Sequence, residues 1–234
     1  MTPREIILSR IREALTNAPS RATKSPPNQP SGSRATDGSR GPKLAVARPW
    51  RATAGDSFKD RIELFQKNAL ELRAGFHLID SLDELKTRLK RLKASEGWNR
   101  VASHRGELTQ AACGDLDMPL LWTDRGYAAS DLEACDAGIT ECDALIAQTG
   151  SVLVTSRTAG GRALSVLPPH HVVIAKREQL LPDLTAAFEL LKTKFAPDYP
   201  GFISLITGPS RTGDIERMLV LGAHGPKKLT ILCV

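Results

Sequence analysis

From Asp56 onward the spacing of apolar positions switches repeatedly between two periods. Phe58, Ile62, Phe65, Ala69 and Leu72 recur at the helical interval, and Gly75 reads as the stop. Residues 76–79 read as a short buried strand. Ser81 and Glu84 form a capping box that opens a helix with Leu82, Leu85, Leu89 and Leu92 on one face. Residues 100–103 and 120–122 read as further strands, and Ser130 with Glu133 marks a short helix. Two apolar runs, 144–147 and 151–154, flank Gln148-Thr149-Gly150 and predict a hairpin with glycine at its turn. Residues 172–175 predict a buried strand, and 180–194 an amphipathic helix broken by Pro197. Strands at 203–207 and 229–234 flank a helical pattern at Ile215, Met218 and Leu219. Alternation of this kind predicts an α/β sandwich around a mixed, largely parallel sheet.

The first quarter of the chain has a different texture. Thr2, Pro3 and Glu5 suit a helix start, and Ile7, Leu8, Ile11 and Leu15 share one face, so residues 1–16 predict an amphipathic helix. Residues 17–55 are rich in Pro, Ser, Gly and Arg, a composition that buries too little apolar surface to order itself, and predict a flexible linker. The α/β domain then covers residues 56–234.

Charge changes meaning once it is located. The chain holds 32 Lys/Arg against 26 Asp/Glu, but residues 1–61 hold 12 against 5, which leaves 20 against 21 in residues 62–234. The domain is close to neutral and the basic excess lies in the linker region, which argues against a basic groove and so against nucleic acid as a partner. Residues 1–15 are charged and amphipathic, unlike a secretion signal, and no stretch has the length of a membrane span. With Cys113, Cys135, Cys142 and Cys233 unpaired by any close CxxC spacing, a cytoplasmic protein with reduced thiols and no metal of its own is expected.

Candidate chemistry gathers in four places. The run from Gly208 through Ser210, Arg211, Thr212 and Asp214 follows a strand and precedes a helical pattern, so backbone N–H groups and the Arg211 fork suit a carboxylate or phosphate. The bland alternative is a capped helix whose acidic first turn, Asp214 and Glu216, complements the dipole. His224 before Gly225 is a candidate general acid or base in an accessible loop, or a turn histidine bonded to backbone. Thr149, Gly150 and Ser151 place two hydroxyls at the hairpin turn; Glu141 and Asp143 precede the same strand, either as solvated or capping carboxylates or, with Glu141 the candidate, as catalytic ones. Gly160-Gly161-Arg162 lacks both the Walker lysine and a GxGxxG pattern, which argues against nucleotide binding by those routes, and Arg162 is a candidate anion contact. His170-His171 is a poor metal pair, because neighbours in an extended segment point to opposite faces.

These residues resemble the LUD-domain family, and within it the lactate utilization protein C branch. The likeness rests on Gly138-Ile139-Thr140, the turn Ala147-Gln148-Thr149-Gly150-Ser151, Gly161-Arg162 through Leu167-Pro168, Gly208 through Glu216, and Gly222-Ala223-His224-Gly225-Pro226. One departure is Gln148, where the family usually carries an acidic residue. The resemblance implies a fold similar to the sugar-phosphate isomerase and CoA-transferase superfamily. It also implies a role, with iron–sulfur partner proteins, in oxidising L-lactate to pyruvate. This chain then has no redox cofactor of its own, binds a small carboxylate, and leaves the iron–sulfur clusters to its partners. Two other readings stand beside it: a stand-alone enzyme of the CoA-transferase or sugar-phosphate-isomerase kind, and a pure assembly module.

Overall fold

The computed structural model describes residues 54–212, 220–222 and 224–234. The helix expected at 1–16, most of the linker at 17–55 and the helical pattern around Ile215 lie outside the described residues, as does Asp214.

Helix α1, Phe58–Glu71, starts where the Ser57 hydroxyl accepts the Asp60 N–H, and buries Ile62, Phe65 and Ala69. Its end differs from the sequence expectation. Arg73, not Gly75, takes the left-handed conformation, with φ 64°. The Arg73 N–H reaches the Leu70 carbonyl and the Ala74 N–H reaches that of Ala69, both at 2.9 Å, which is the Schellman pattern. A non-glycine residue there carries about 1–2 kcal/mol of steric strain. Gly75 is instead the first residue of strand β1, Gly75–Leu78.

Helix α2, Leu82–Glu96, opens on the expected cap: Ser81 accepts the Glu84 N–H, and the Glu84 carboxylate returns to the N–H of Asp80, one residue before the cap. There follow β2 (Val101–Ser103), helix α3 (Glu107–Cys113), β3 (Leu120–Trp122), helix α4 (Ala129–Glu133) and β4 (Ala137–Glu141). Helix α3 has no periodic signal in its seven residues, and the sequence reading passed over it. The hairpin is present as β5 (Ala144–Ile146) and β6 (Ser151–Thr155), and β7 is His170–Ala175. The helix expected at 180–194 begins later. Leu180–Leu181 forms a short strand, β8, alongside β5; Pro182 interrupts, and Asp183 caps helix α5, Leu184–Phe195. Strand β9 (Ile203–Ile206), the two-residue strands β10 (Arg211–Thr212) and β11 (Val220–Leu221), and β12 (Lys228–Cys233) complete the order.

Six strands form one wholly parallel sheet in the order β1-β12-β7-β4-β2-β3. A second, mixed sheet runs β8-β5-β6-β9. The pleat of the parallel sheet explains the layers. Val172, Ile174 and Leu232 face α2 and α3, packing with Leu85, Leu89 and Ala112. Val173, Ala175 and Ile231 face the other way, onto Phe65 of α1 and onto Leu145, Val152 and Val154 of the second sheet. The far side of that sheet is covered by α5 through Ala187, Leu191 and Phe195. The α/β class and the largely parallel sheet are therefore as the sequence predicts, with the mixed pairing confined to the smaller sheet.

The adjacent histidines of β7 take separate partners, as strand alternation requires. His170 Nε2 lies 2.9 Å from Thr230 Oγ1, with its ring edge-on to Trp98, and His171 Nε2 lies 2.9 Å from Thr140 Oγ1. Burial depresses both imidazoles, His170 to about 4 and His171 to about 3 from an ordinary value of 6.5.

Two predictions follow from this packing. Ile231 is fully buried in the strand between β1 and β7, so Ile231→Ala should lower stability by about 2–5 kcal/mol in urea, whereas Phe188→Ala at an exposed position should change it by about 0.5 kcal/mol or less. Below pH 6.5 the unfolded chain protonates His171 while the folded chain does not, so stability falls as pH drops through that range towards 3. His171→Gln should flatten the slope of unfolding free energy between pH 6.5 and 4 and leave it unchanged above; an unaltered slope would refute the neutral, buried imidazole.

Candidate functional site

In a parallel sheet every strand delivers its carboxyl end to the same edge, and ligand crevices form there. At that edge the residues after β2 (His104, Arg105, Gly106), after β3 (Thr123, Asp124), at the end of β4 (Glu141) and after β7 (Lys176) converge on one cavity of about 730 Å³. The segment after β6, including Ser156, Arg157, Thr158, Gly160 and Gly161, forms the facing wall, with Lys194 of α5.

His104 is nearly buried, and its Nε2 accepts the backbone N–H of Glu141 at 3.0 Å. The ring proton therefore sits on Nδ1. Burial holds this imidazole below its ordinary pKa, although Glu141 and Asp124 pull the other way. Glu141 itself is committed through one oxygen. Its Oε1 accepts the N–H groups of Leu108 at 2.8 Å and Thr109 at 3.0 Å, at the start of α3, and lies 3.2 Å from the Thr109 hydroxyl. Gly106 permits that approach, since a Cβ there would stand 2.2 Å from the same oxygen. Gly160, with φ 66°, is equally constrained: a Cβ would meet His104 Cβ at 2.5 Å. Its carbonyl accepts the Thr123 hydroxyl at 3.1 Å, which ties the facing wall to the sheet edge.

Most cations around the cavity are already matched. Lys176 pairs with Glu107 at 2.6 Å, Lys194 with the buried Asp143 at 2.7 Å, and Arg157 with Asp198. Arg105 differs. Its guanidinium stands 5.2 Å from the Trp122 ring centroid and makes no ion pair among the described residues, while its backbone N–H is held by Asp124 at 2.7 Å. A carboxylate entering the cavity meets one preorganised, unneutralised fork.

The other residues singled out in the sequence form a separate cluster. Gly150, with φ 64°, packs on the Asn68–Ala69 backbone of α1, and Asn68 Nδ2 donates to the carbonyls of Ala147 and Gln148 at 2.8 and 3.1 Å. Ser151 Oγ lies 2.8 Å from Thr207 Oγ1, and Thr149 Oγ1 is buried without a partner among the described residues. Gly208, with φ 86°, is pressed against the Leu72 carbonyl, which also accepts from the Arg211 guanidinium. The Ser210 N–H donates to the Pro226 carbonyl at 2.9 Å, and the Gly222 N–H to the Ser210 carbonyl at 3.0 Å, so the Gly208 turn and the loop carrying the exposed His224 and Gly225 do lie together. Arg211 and Thr212 belong to a strand ladder with β11 at the place where a helix start was expected.

This cluster does not share a site with Glu141. Glu141 is level with Ile174 and Leu232 at the carboxyl edge, whereas the His224 loop enters β12 at Lys228, level with His170 and Ala137. Four residues of strand, about 13 Å, separate those two levels. Arg162 is exposed in the loop beyond Gly161, outside the residues that line the cavity. His104, Arg105, Asp124, Lys176 and Lys194 were missed, and the available signal was positional: Ser103-His104-Arg105-Gly106 comes directly off a parallel strand. Among the described residues no group of three or more His, Cys, Asp or Glu is arranged to hold a metal. All four cysteines are buried free thiols pushed above their ordinary pKa, Cys113 to about 12 and Cys233 to about 11.

Residues 62–234 match the model of the LUD domain. The chain belongs to the LUD-domain family. Curated relatives include lactate utilization protein C of Macrococcus caseolyticus, 32% identical over 49% of this chain and 60% of that protein. The Bacillus subtilis protein of the same name is 35% identical over 44% of this chain and 43% of its own length. That of Oceanobacillus iheyensis is 24% identical over 86% of this chain and 91% of its own. The chain thus spans roughly half the length of most of these relatives. A crystal structure of a DUF162 family protein from Deinococcus radiodurans superposes with a TM-score of 0.61 at 20% identity, covering 76% of this chain and 98% of that one, and shares its fold. No helix among the described residues is long and apolar enough to cross a membrane.

The geometry gives Glu141 a definite mechanical role in this LUD domain. Glu141→Ala removes the acceptor of two backbone N–H groups and should destabilise by about 1–3 kcal/mol, while Glu141→Gln, which keeps a carbonyl oxygen there, should lose much less. Equal urea midpoints for the Ala variant and the parent would remove that role.

Proposed function

We propose that this chain serves lactate utilization as a carboxylate-binding, non-redox subunit of a system that oxidises L-lactate to pyruvate beside iron–sulfur proteins. The family and the names of the relatives support the lactate part of this reading. The observation that carries the carboxylate part is Arg105, a guanidinium without an ion-pair partner among the described residues, at the rim of the carboxyl-edge cavity. Oxidising lactate to pyruvate releases two electrons and two protons. In this reading the electrons pass to the iron–sulfur partners, and this chain contributes binding of the carboxylate. His104 and the Glu141 anchor then shape the pocket floor, and Arg105 fixes the carboxylate through two parallel N–H···O bonds.

Arg105 is preferred to Arg211 because Arg211 lies with the Gly208 turn, outside the residues that line this cavity. Isothermal titration of the full chain with L-lactate and with pyruvate tests this. Arg105→Ala should weaken binding at least about tenfold, the loss expected for a charge-assisted pair, while Arg211→Ala leaves it intact. Binding that ignores Arg105, or that fails for both acids in the parent protein, would defeat the proposal.

A further inference from the structure

A second cleft, of about 200 Å³, opens at the amino edge of the parallel sheet, where β1, β7 and β12 begin. Among the described residues its charged walls are Arg73, Arg211, Lys227 and Lys228, against Glu96 as the one acid. Glu96 is taken by Lys228. Among the described residues, Arg73, Arg211 and Lys227 therefore bring an excess of three positive charges into a space a few atoms wide, beside a His170 ring that burial keeps neutral.

Backbone geometry sets where each of these side chains starts. Arg73 sits at the end of α1 in the left-handed conformation that glycine normally supplies, so the chain retains a strained arginine where a relaxed glycine would cap the helix equally well. Gly208 approaches the Leu72 carbonyl closely and sets Arg211 beside that same helix end. The Lys227 N–H donates to the Pro169 carbonyl at 2.8 Å, and its side-chain stem packs under Gly222, where a Cβ would clash at 2.2 Å. Like charges gathered on rigid supports repel one another, and a bound anion relieves that repulsion.

We propose that this cleft binds a phosphate group. Two guanidinium groups, Arg211 with one N–H already given to Leu72, and a lysine ammonium suit the terminal oxygens and double charge of a phosphate better than the single charge of a carboxylate. The volume admits the group itself, with the remainder of any larger ligand outside. This site is independent of the lactate reading, since it lies at the opposite edge of the sheet from Arg105.

Thermal unfolding of the full chain tests it, with sodium phosphate, glycerol 3-phosphate, L-lactate and sodium chloride compared at equal ionic strength. Phosphate at about tenfold its Kd should raise Tm by about 3–6 °C over chloride. A rise with phosphate alone assigns a free anion, and one with glycerol 3-phosphate as well assigns a phosphomonoester. Arg73→Gly relieves the left-handed strain, so its unliganded Tm should hold or rise while the phosphate shift falls by half or more. Lys227→Gln should also reduce the shift, and Arg105→Ala should leave it unchanged. The assignment is overturned if phosphate matches chloride, if the shift survives intact in both Arg73→Gly and Lys227→Gln, or if L-lactate gives an equal shift that Arg73→Gly abolishes.

Discussion

Strand β12 is the constraint on which the rest depends. It pairs with β1 on one side and β7 on the other, so the final segment of sequence lies in the middle of the sheet. Its five buried positions alternate between two cores: Ile231 and Cys233 face α1 and the mixed sheet, Leu229 joins them, and Leu232 faces α2. Without it, β1 and α1 lose their attachment to β7, and the two hydrophobic layers lose a shared wall. The insertion also fixes where loops can go. Strand β9 ends level with the start of β6 and β12 starts level with the first residue of β7, so the Gly208 turn and the loop residues before Lys228 meet at the amino edge and not at the cavity.

The cavity at the carboxyl edge is built on the same logic in reverse. Parallel strands leave polar chain ends at one rim, and those backbone groups need partners. Glu141 satisfies two of them at the start of α3, His104 satisfies the N–H of Glu141, and Asp124 satisfies that of Arg105. The side chains that look most catalytic in type are thus also the ones that close the backbone ledger of the rim. Their ordering has a consequence for chemistry: a ligand finds groups already oriented, with Arg105 the cation there left unneutralised among the described residues.

Much of the architecture was legible in the sequence because it depends on local period. Helices at Phe58 and Ser81, the hairpin around Gly150 and the strand at Val172 each declare themselves within a dozen residues. Three features were not legible. Arg73 ends α1 by adopting a conformation that no propensity favours, so the nearby Gly75 was the reasonable but mistaken stop. Leu180-Leu181 continues a helical pattern yet pairs with β5, a long-range contact that outweighs local preference. His104 and Arg105 have no motif at all. They matter because strand order places four carboxyl ends side by side, and order is a property of pairing, not of spacing. The glycine-rich turns at Gly150, Gly208 and Gly225 mark close backbone approach in the sequence, but that they gather at one edge while Glu141 stands at the other could only come from the register.

Net charge gives the same lesson in electrostatic form. Residues 62–234 are one charge from neutral, and that balance rightly argues against a broad basic face. Balance over a domain does not imply balance at each site. At the carboxyl edge Asp143 is buried and holds Lys194 on one oxygen and the Thr158 hydroxyl on the other, so a positive charge there is consumed internally. Truncating that lysine would strand a buried carboxylate, a far greater penalty than the loss of an exposed pair. Among the described residues of the amino-edge cleft, one acid, Glu96, stands against four cations. Charges that could have been spread evenly over the surface are instead matched where the fold needs rigidity and left in excess where the backbone has been bent, at Arg73 and Gly208, to bring them together.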